Sequence, residues 1–181
     1  MRVIAGSARS ISLVAPRDRA TRPITDRVKE TLFGILGARV LDARVLDLYA
    51  GSGAIGIEAL SRGAAQATFV ERSREGIGAI RSNLERTGLA ARASVQQTEV
   101  GRFLAGDPGE PFDLVVLDPP YEERAILAPL EQVRRHLASD ATLVVKHFWR
   151  TPIPAVAGLD RWRERRFGET SLTFLERVEE P

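Results

Sequence analysis

Two short stretches concentrate the residue types that could do chemistry: VLDLYAGSGAIG, Val45 to Gly56, and VVLDPPYEE, Val115 to Glu123. In the first, an apolar run meets Gly51, Gly53 and Gly56 in a GxGxxG arrangement, and Glu71 closes the next apolar run. Glycines let a ligand approach the backbone, free N–H groups at a helix start hold an anion, and a strand-end carboxylate accepts hydrogen bonds from a ribose diol. In the second stretch Asp118 ends an apolar run and is followed by Pro119, Pro120 and Tyr121. Two proline rings fix the backbone and remove two N–H groups while keeping their carbonyls. The local surplus is of acceptors, so this stretch is suited to receiving donors.

The glycine turn alone fits two cofactor classes, a nicotinamide dinucleotide or S-adenosylmethionine. Asp47 separates them, because a carboxylate beside the turn repels a pyrophosphate and favours an ammonium and a sulfonium. S-adenosylmethionine is therefore the expected cofactor, with contacts from Asp47, Tyr49, Ala50, Gly51, Ser52, Gly53, Glu71 and Arg72. Thr98 and Glu99 follow the third strand, where a polar group meets the adenine, although Glu99 reads equally well as a helix-start acid.

With that cofactor, the acceptor-rich stretch acquires a purpose. An exocyclic amine delocalises its lone pair into its ring and is a poor nucleophile. Acceptors on Asp118 and the Pro119 carbonyl would orient it towards the sulfonium methyl, Pro120 stiffens the segment, and Tyr121 offers a ring for stacking. No metal or covalent nucleophile is required. The bland readings are a strand ended by two prolines with Tyr121 in the core, and a glycine turn that merely packs; the combination in one chain argues against both.

The elements that must hold these residues follow from the hydrophobic pattern. Strands are predicted over Arg44 to Leu48, Ala67 to Glu71, Ala93 to Gln97, Phe112 to Asp118 and Ala141 to His147. Helices are predicted over Ala54 to Arg62, Ser73 to Thr87 and Arg124 to Leu137, with Gly63 and Gly88 placed to end the first two. Such alternation predicts an α/β, Rossmann-like fold, a mostly parallel sheet with helices on both faces. The tail from Arg161 to Val178 reads as two extended segments around Gly168, an antiparallel hairpin closing the sheet. Ahead of the core, RVIAG and ISLVAP read as a small hairpin or arm, and Thr25 caps a helix striped by Val28, Leu32, Ile35 and Leu36. GDPGEP, Gly106 to Pro111, reads as a surface loop. The organisation expected is one domain, with the basic arm and helix over 1–40 and the methyltransferase core over 41–181.

Charge is unevenly placed. The chain of 181 residues carries a formal +2, yet the segment from Met1 to Lys29 holds Arg2, Arg9, Arg17, Arg19, Arg22, Arg27 and Lys29 against Asp18 and Asp26. Beside a base-modifying site this segment reads as an RNA clamp through Arg9, Arg17, Arg19, Arg22 and Arg27, the alternative being a solvated terminus. RWRERRF, Arg161 to Phe167, interleaves arginines with Trp162 and Phe167, suited to phosphate and stacking or to hairpin packing. His136 reads as a surface or lightly packed residue. Without cysteine there is neither a disulfide nor a thiolate metal site. No segment resembles a leader or approaches the ~18 apolar residues of a membrane span, so a cytoplasmic protein is expected, without membrane or metal and monomeric.

TRPITDRVKETLF, followed by VLDLYAGSGAIGIEALSRGA, FVE and LDPPY, resembles the RsmD-type 16S ribosomal RNA (guanine-N2) methyltransferases, a class I S-adenosylmethionine-dependent family, over roughly Arg2 to Pro120. The resemblance implies a seven-stranded sheet, S-adenosylmethionine near Asp47, Gly51, Gly53 and Glu71, and a target amine at Asp118 to Tyr121. It also implies a guanine of 16S rRNA presented by the small ribosomal subunit or an assembly intermediate. Adenine N6 of a nucleic acid and a protein glutamine amide are the competing targets. Two departures stand out: Ile24 replaces a more usual threonine, and Lys146 and His147 stand where an acid is commoner.

Overall fold

The computed structural model describes residues 1–16, 24–119 and 124–178, with side chains in the last stretch from 128 onward. Seven strands form one sheet: β1 (Arg44–Leu48), β2 (Gln66–Glu71), β3 (Ala93–Gln97), β4 (Phe112–Leu117), β5 (Leu137–Phe148), β6 (Leu159–Phe167) and β7 (Thr170–Arg177). Their order is β3-β2-β1-β4-β5-β7-β6. The first five are mutually parallel, and β7 alone runs against its neighbours β5 and β6. The expected mostly parallel sheet closed by a hairpin is therefore present. Strand order reverses between β1 and β4, and a crevice outside the carboxyl ends of the strands at such a point is where open α/β sheets bind ligands.

Period-two alternation sends neighbouring strand residues to opposite faces. Val45, Phe69, Leu114, Val116, Val144 and Phe174 join a core with α1 (Asp26–Leu36), α2 (Ala54–Ser61) and α3 (Arg74–Thr87). Leu46, Leu48, Val115, Leu117, Leu143 and Val145 join the opposite core with α4 (Val100–Ala105) and α5 (Arg124–Val133). Helices thus cover both faces.

Thr25 accepts the N–H of Val28 and caps α1 as expected. The buried stripe of this helix is Val28, Leu32, Phe33 and Leu36, with Ile35 only partly covered, so Phe33 takes the place given to Ile35. Lys29 is buried as well, which no amphipathic pattern anticipates. Its ammonium lies 3.1 Å from Glu58, a fully buried carboxylate of α2. Glu58 also accepts the N–H groups of Ile4 at 2.8 Å and Ala5 at 3.0 Å and pairs with Arg62 at 2.7 Å. One carboxylate therefore ties the first residues, α1 and α2 together. Asn83 of α3 adds a second tie, exchanging hydrogen bonds with the backbone of Val14 and donating to the carbonyl of Ser52. Val3, Ala8 and Leu13 sit in the same apolar cluster as the sheet.

His136 differs from its surface reading. It is fully buried, stacked 5.8 Å from the Phe103 ring, with Nε2 3.0 Å from the Leu104 carbonyl. The two aromatics of the tail behave as packing residues: Trp162 lies 5.4 Å from Phe174, and both it and Phe167 pack against the core, while the arginines between them are exposed. Among the described residues, no helix is long and apolar enough to cross a membrane.

Candidate active site

β1 runs into its turn through an unusual backbone. Tyr49 has φ 61°, Gly51 φ 56° and Gly53 φ 75°, a left-handed series that two glycines make sterically cheap and that Tyr49 adopts at a cost. Gly56 serves packing, since a Cβ there would lie 2.3 Å from the Phe69 ring, so the glycine lets α2 approach β2. Ala50 donates its N–H to the Val70 carbonyl and Gly53 donates to Ala50, closing the turn over the strand ends.

Three carboxylates converge beneath and beside this turn. Asp47 is buried on β1 and accepts the Gly56 N–H at 2.9 Å. Burial pushes its carboxyl up to about 8, the Gly56 N–H opposes the shift, and the negative charges of Asp118 and Glu71 add to it. Glu71 closes β2; one of its oxygens accepts the Gly51 N–H at 2.9 Å and the other the Ser73 N–H at 2.8 Å. Each oxygen keeps a further lone pair for a ligand. A side chain at Gly76 would lie 2.7 Å from Glu71 and 3.0 Å from the Gly51 carbonyl, so the start of α3 closes tightly on the same corner. Asp118 follows β4, two residues beyond the level of Asp47 as Glu71 is on β2, and on the same face, which α1, α2 and α3 cover.

The predicted adenine side also assembles around Glu71. Thr98 donates its N–H to the Glu71 carbonyl at 3.2 Å, and Glu99 stands at the N-cap of α4 without capping it. Glu99 instead reaches Arg72 at 3.7 Å, with both side chains largely in solvent. Tyr49 lies close enough to both for their charges to act on its phenol, which burial shifts upward. Ser52 is half-buried, its hydroxyl 3.8 Å from the Met1 sulfur.

Pro119 is buried directly after Asp118. Pro120 and Tyr121 lie outside the described residues, as do Arg17, Arg19 and Arg22 of the predicted clamp. Arg9 and Arg27 are exposed. Two features at this end of the sheet escaped the sequence reading. Lys146 of β5 is buried and its ammonium lies 2.6 Å from Asp118 Oδ1. Trp149, just past β5, stacks with the guanidinium groups of Arg166 at 3.6 Å and Arg150 at 4.7 Å from its ring centre. Alternation in VVKHF put Lys146 on the face of Asp47, and that signal alone could have suggested the pairing. For Trp149 no local signal existed, because Arg166 arrives from another strand. Among the described residues, no group of three or more histidines or acids is placed to hold a metal ion.

Comparisons with known proteins identify the family of this fold. A family model described as "Conserved hypothetical protein 95" matches residues 1–176. "Putative rRNA methyltransferase YlbH" of Bacillus subtilis (strain 168) is 37% identical over 98% of this chain and 99% of its own. "Ribosomal RNA small subunit methyltransferase D" of Escherichia coli (strain K12) is 36% identical over 98% of this chain and 90% of its own. A solved structure, "Putative methyltransferase yhhF from Escherichia coli", superimposes with a TM-score of 0.88 at 36% identity, covering 98% of this chain and 97% of that one. With the strand order, the glycine turn over Asp47 and Glu71, and matches of this length, the chain belongs to the Conserved hypothetical protein 95 family, the RsmD family of methyltransferases.

Proposed function

We propose that this protein transfers a methyl group from S-adenosylmethionine to the exocyclic N2 amine of a guanine in 16S rRNA of the small ribosomal subunit. The observation that carries the reading is the convergence of Asp47, Glu71 and Asp118 on one face, at the carboxyl ends of adjacent strands around a left-handed glycine turn. A buried Asp47 shifted to about 8 is a carboxyl that holds its proton near neutral pH until positive charge arrives, and the ammonium and sulfonium of S-adenosylmethionine would supply that charge. Bound there, this cofactor offers an electrophilic methyl group. The free lone pairs of Glu71 suit a ribose diol, and Tyr49, Arg72, Thr98 and Glu99 border the space beyond it.

The chain's own contribution to the transfer is orientation. Asp118 keeps 22% of its side-chain surface exposed and stays available as an acceptor, with the Pro119 carbonyl beside it. An amine held by both has its lone pair directed towards the methyl carbon. S-adenosylmethionine held there would supply the methyl group, Asp118 and the Pro119 carbonyl would orient the amine that receives it, and the proton the amine loses would pass to solvent through the open side of the site. Tyr121 is the proposed stacking partner of the base. RNA flanking the target is proposed to contact the basic segment through Arg9, Arg17, Arg19, Arg22 and Arg27, and the guanidinium groups of Arg150 and Arg166 around Trp149.

The test is transfer of labelled methyl from S-adenosylmethionine to small-subunit particles whose target guanosine is replaced by inosine, which lacks only the 2-amino group. Label should appear at that guanosine in unsubstituted particles and vanish with inosine. Label retained on the inosine particle would move the nucleophile to a ring atom, and label on DNA or on a protein amide instead would move the substrate class.

A further inference from the structure

Of the 26 basic residues in the sequence all but Lys29 and Lys146 are arginine, and both lysines are buried against a carboxylate. A compact ammonium fits where a planar guanidinium would not. Lys29 serves the Glu58 tie described above. Lys146 is placed differently, against Asp118 in the middle of the site. The pair is lopsided, since Lys146 retains 8% of its side-chain surface and Asp118 22%. The carboxylate faces the opening and the ammonium stands behind it.

We propose that Lys146 is a positioning residue for methyl transfer, holding Asp118 ionised through Oδ1 so that Oδ2 remains a pure acceptor for the substrate amine. This rests on the amine-methylating reading above. The chemistry requires it, because a protonated carboxyl would present an O–H donor to a group that itself donates. The surroundings push towards that wrong state. Asp118 is half-buried and has lost part of its hydration, while its charge and that of Glu71 of β2 bear on Asp47 of β1. Lys146 of β5 supplies the opposing charge, while His147 points to the other face, against Thr173. Burial raises the Asp118 carboxyl and Lys146 pulls it back down. An ammonium so enclosed is tolerated only while paired, so the two side chains fix each other.

Four variants test the assignment: Lys146→Met, Lys146→Arg, Asp118→Asn, and Lys146→Met combined with Asp118→Asn. Lys146→Met should cut kcat about tenfold or more at neutral pH with little change in KM for the RNA particle, and should move the acid limb of the kcat profile up by about one pH unit or more. Lys146→Arg should recover part of the rate. The double variant should recover rate over Lys146→Met and lose the acid limb, because an asparagine carbonyl accepts at any pH without a counter-charge. Infrared titration of the Asp118 carboxyl, assigned by its loss in Asp118→Asn, should show it ionised at neutral pH in the parent and protonated in Lys146→Met. That measurement needs no turnover, so it tests the pair even if the parent fails to methylate the RNA. If Lys146→Met does not fold, Lys146→Gln carries the same readouts. An unmoved acid limb and unchanged Asp118 ionisation would reduce Lys146 to a packing residue and overturn the proposal.

Discussion

Glu71 and Gly51 are joined by a 2.9 Å hydrogen bond in which the strand-end carboxylate accepts the N–H of the glycine turn. The acid proposed to hold the cofactor ribose therefore also holds the glycine turn proposed to receive that cofactor. Glu71→Ala should remove both functions and weaken S-adenosylhomocysteine by about 3–6 kcal/mol, roughly two charge-assisted bonds. Glu71→Gln, which keeps one acceptor oxygen, should lose less. Calorimetric titration measures both, and equal affinities for parent and Glu71→Ala would remove Glu71 from the cofactor site.

Asp47 gives the unliganded protein a distinctive pH dependence. Its carboxyl ionises at about 8 in the fold against an ordinary 3.8, so between those values the folded state binds the extra proton. Stability from this group is greatest below the lower value and declines as pH rises towards the upper one. Thermal unfolding of the apo protein should show that decline, and Asp47→Asn should flatten it. Binding a cationic ligand near pH 7 should also expel a proton, visible as a buffer-dependent binding enthalpy that Asp47→Asn abolishes.

The Glu58 tie is a matter of stability. Glu58→Ala leaves Lys29 buried without its counter-charge and frees the N–H groups of Ile4 and Ala5, so a loss of about 3–5 kcal/mol is expected in chemical denaturation. Lys29→Met with Glu58→Gln should recover much of it, because no unpaired charge is left inside.

Replacing Arg150 and Arg166 by alanine should weaken RNA binding and flatten its logarithmic salt dependence by about 0.7–0.9 for each phosphate no longer neutralised. Affinity for S-adenosylhomocysteine should stay near that of the parent. A salt slope identical to the parent's would leave the stack as surface packing.

Much of this was legible because the signals are local. β1 and β3 begin and end where the apolar runs do, Thr25 caps α1 as its residue type suggests, and Gly88 ends α3 in a left-handed conformation, φ 70°. The six residues of α4 are too few for a helical period to show. β5 starts at Leu137, four residues before the apolar run, because pairing with β4 overrides the local pattern there. The burial of Glu58 and Lys29 was illegible for a different reason: their partners lie far away in sequence, and each residue alone reads as solvent-facing. Lys146 registered only as an unusual residue at a strand end, and its meaning appeared when β4 and β5 were placed side by side.

The scarcity and burial of lysine make the molecule a reporter of its own opening. An amine-acylating reagent in solution meets Lys29 at 0% and Lys146 at 6% exposure, so acylation of either side chain must wait for a fluctuation that uncovers it. Lys29 would be uncovered when the first residues lift away from Glu58, and Lys146 when the ends of β4 and β5 part. Peptide mass spectrometry resolves the two, so one reagent runs two independent clocks in an unmodified chain, one on the scaffold and one on the rim of the candidate site.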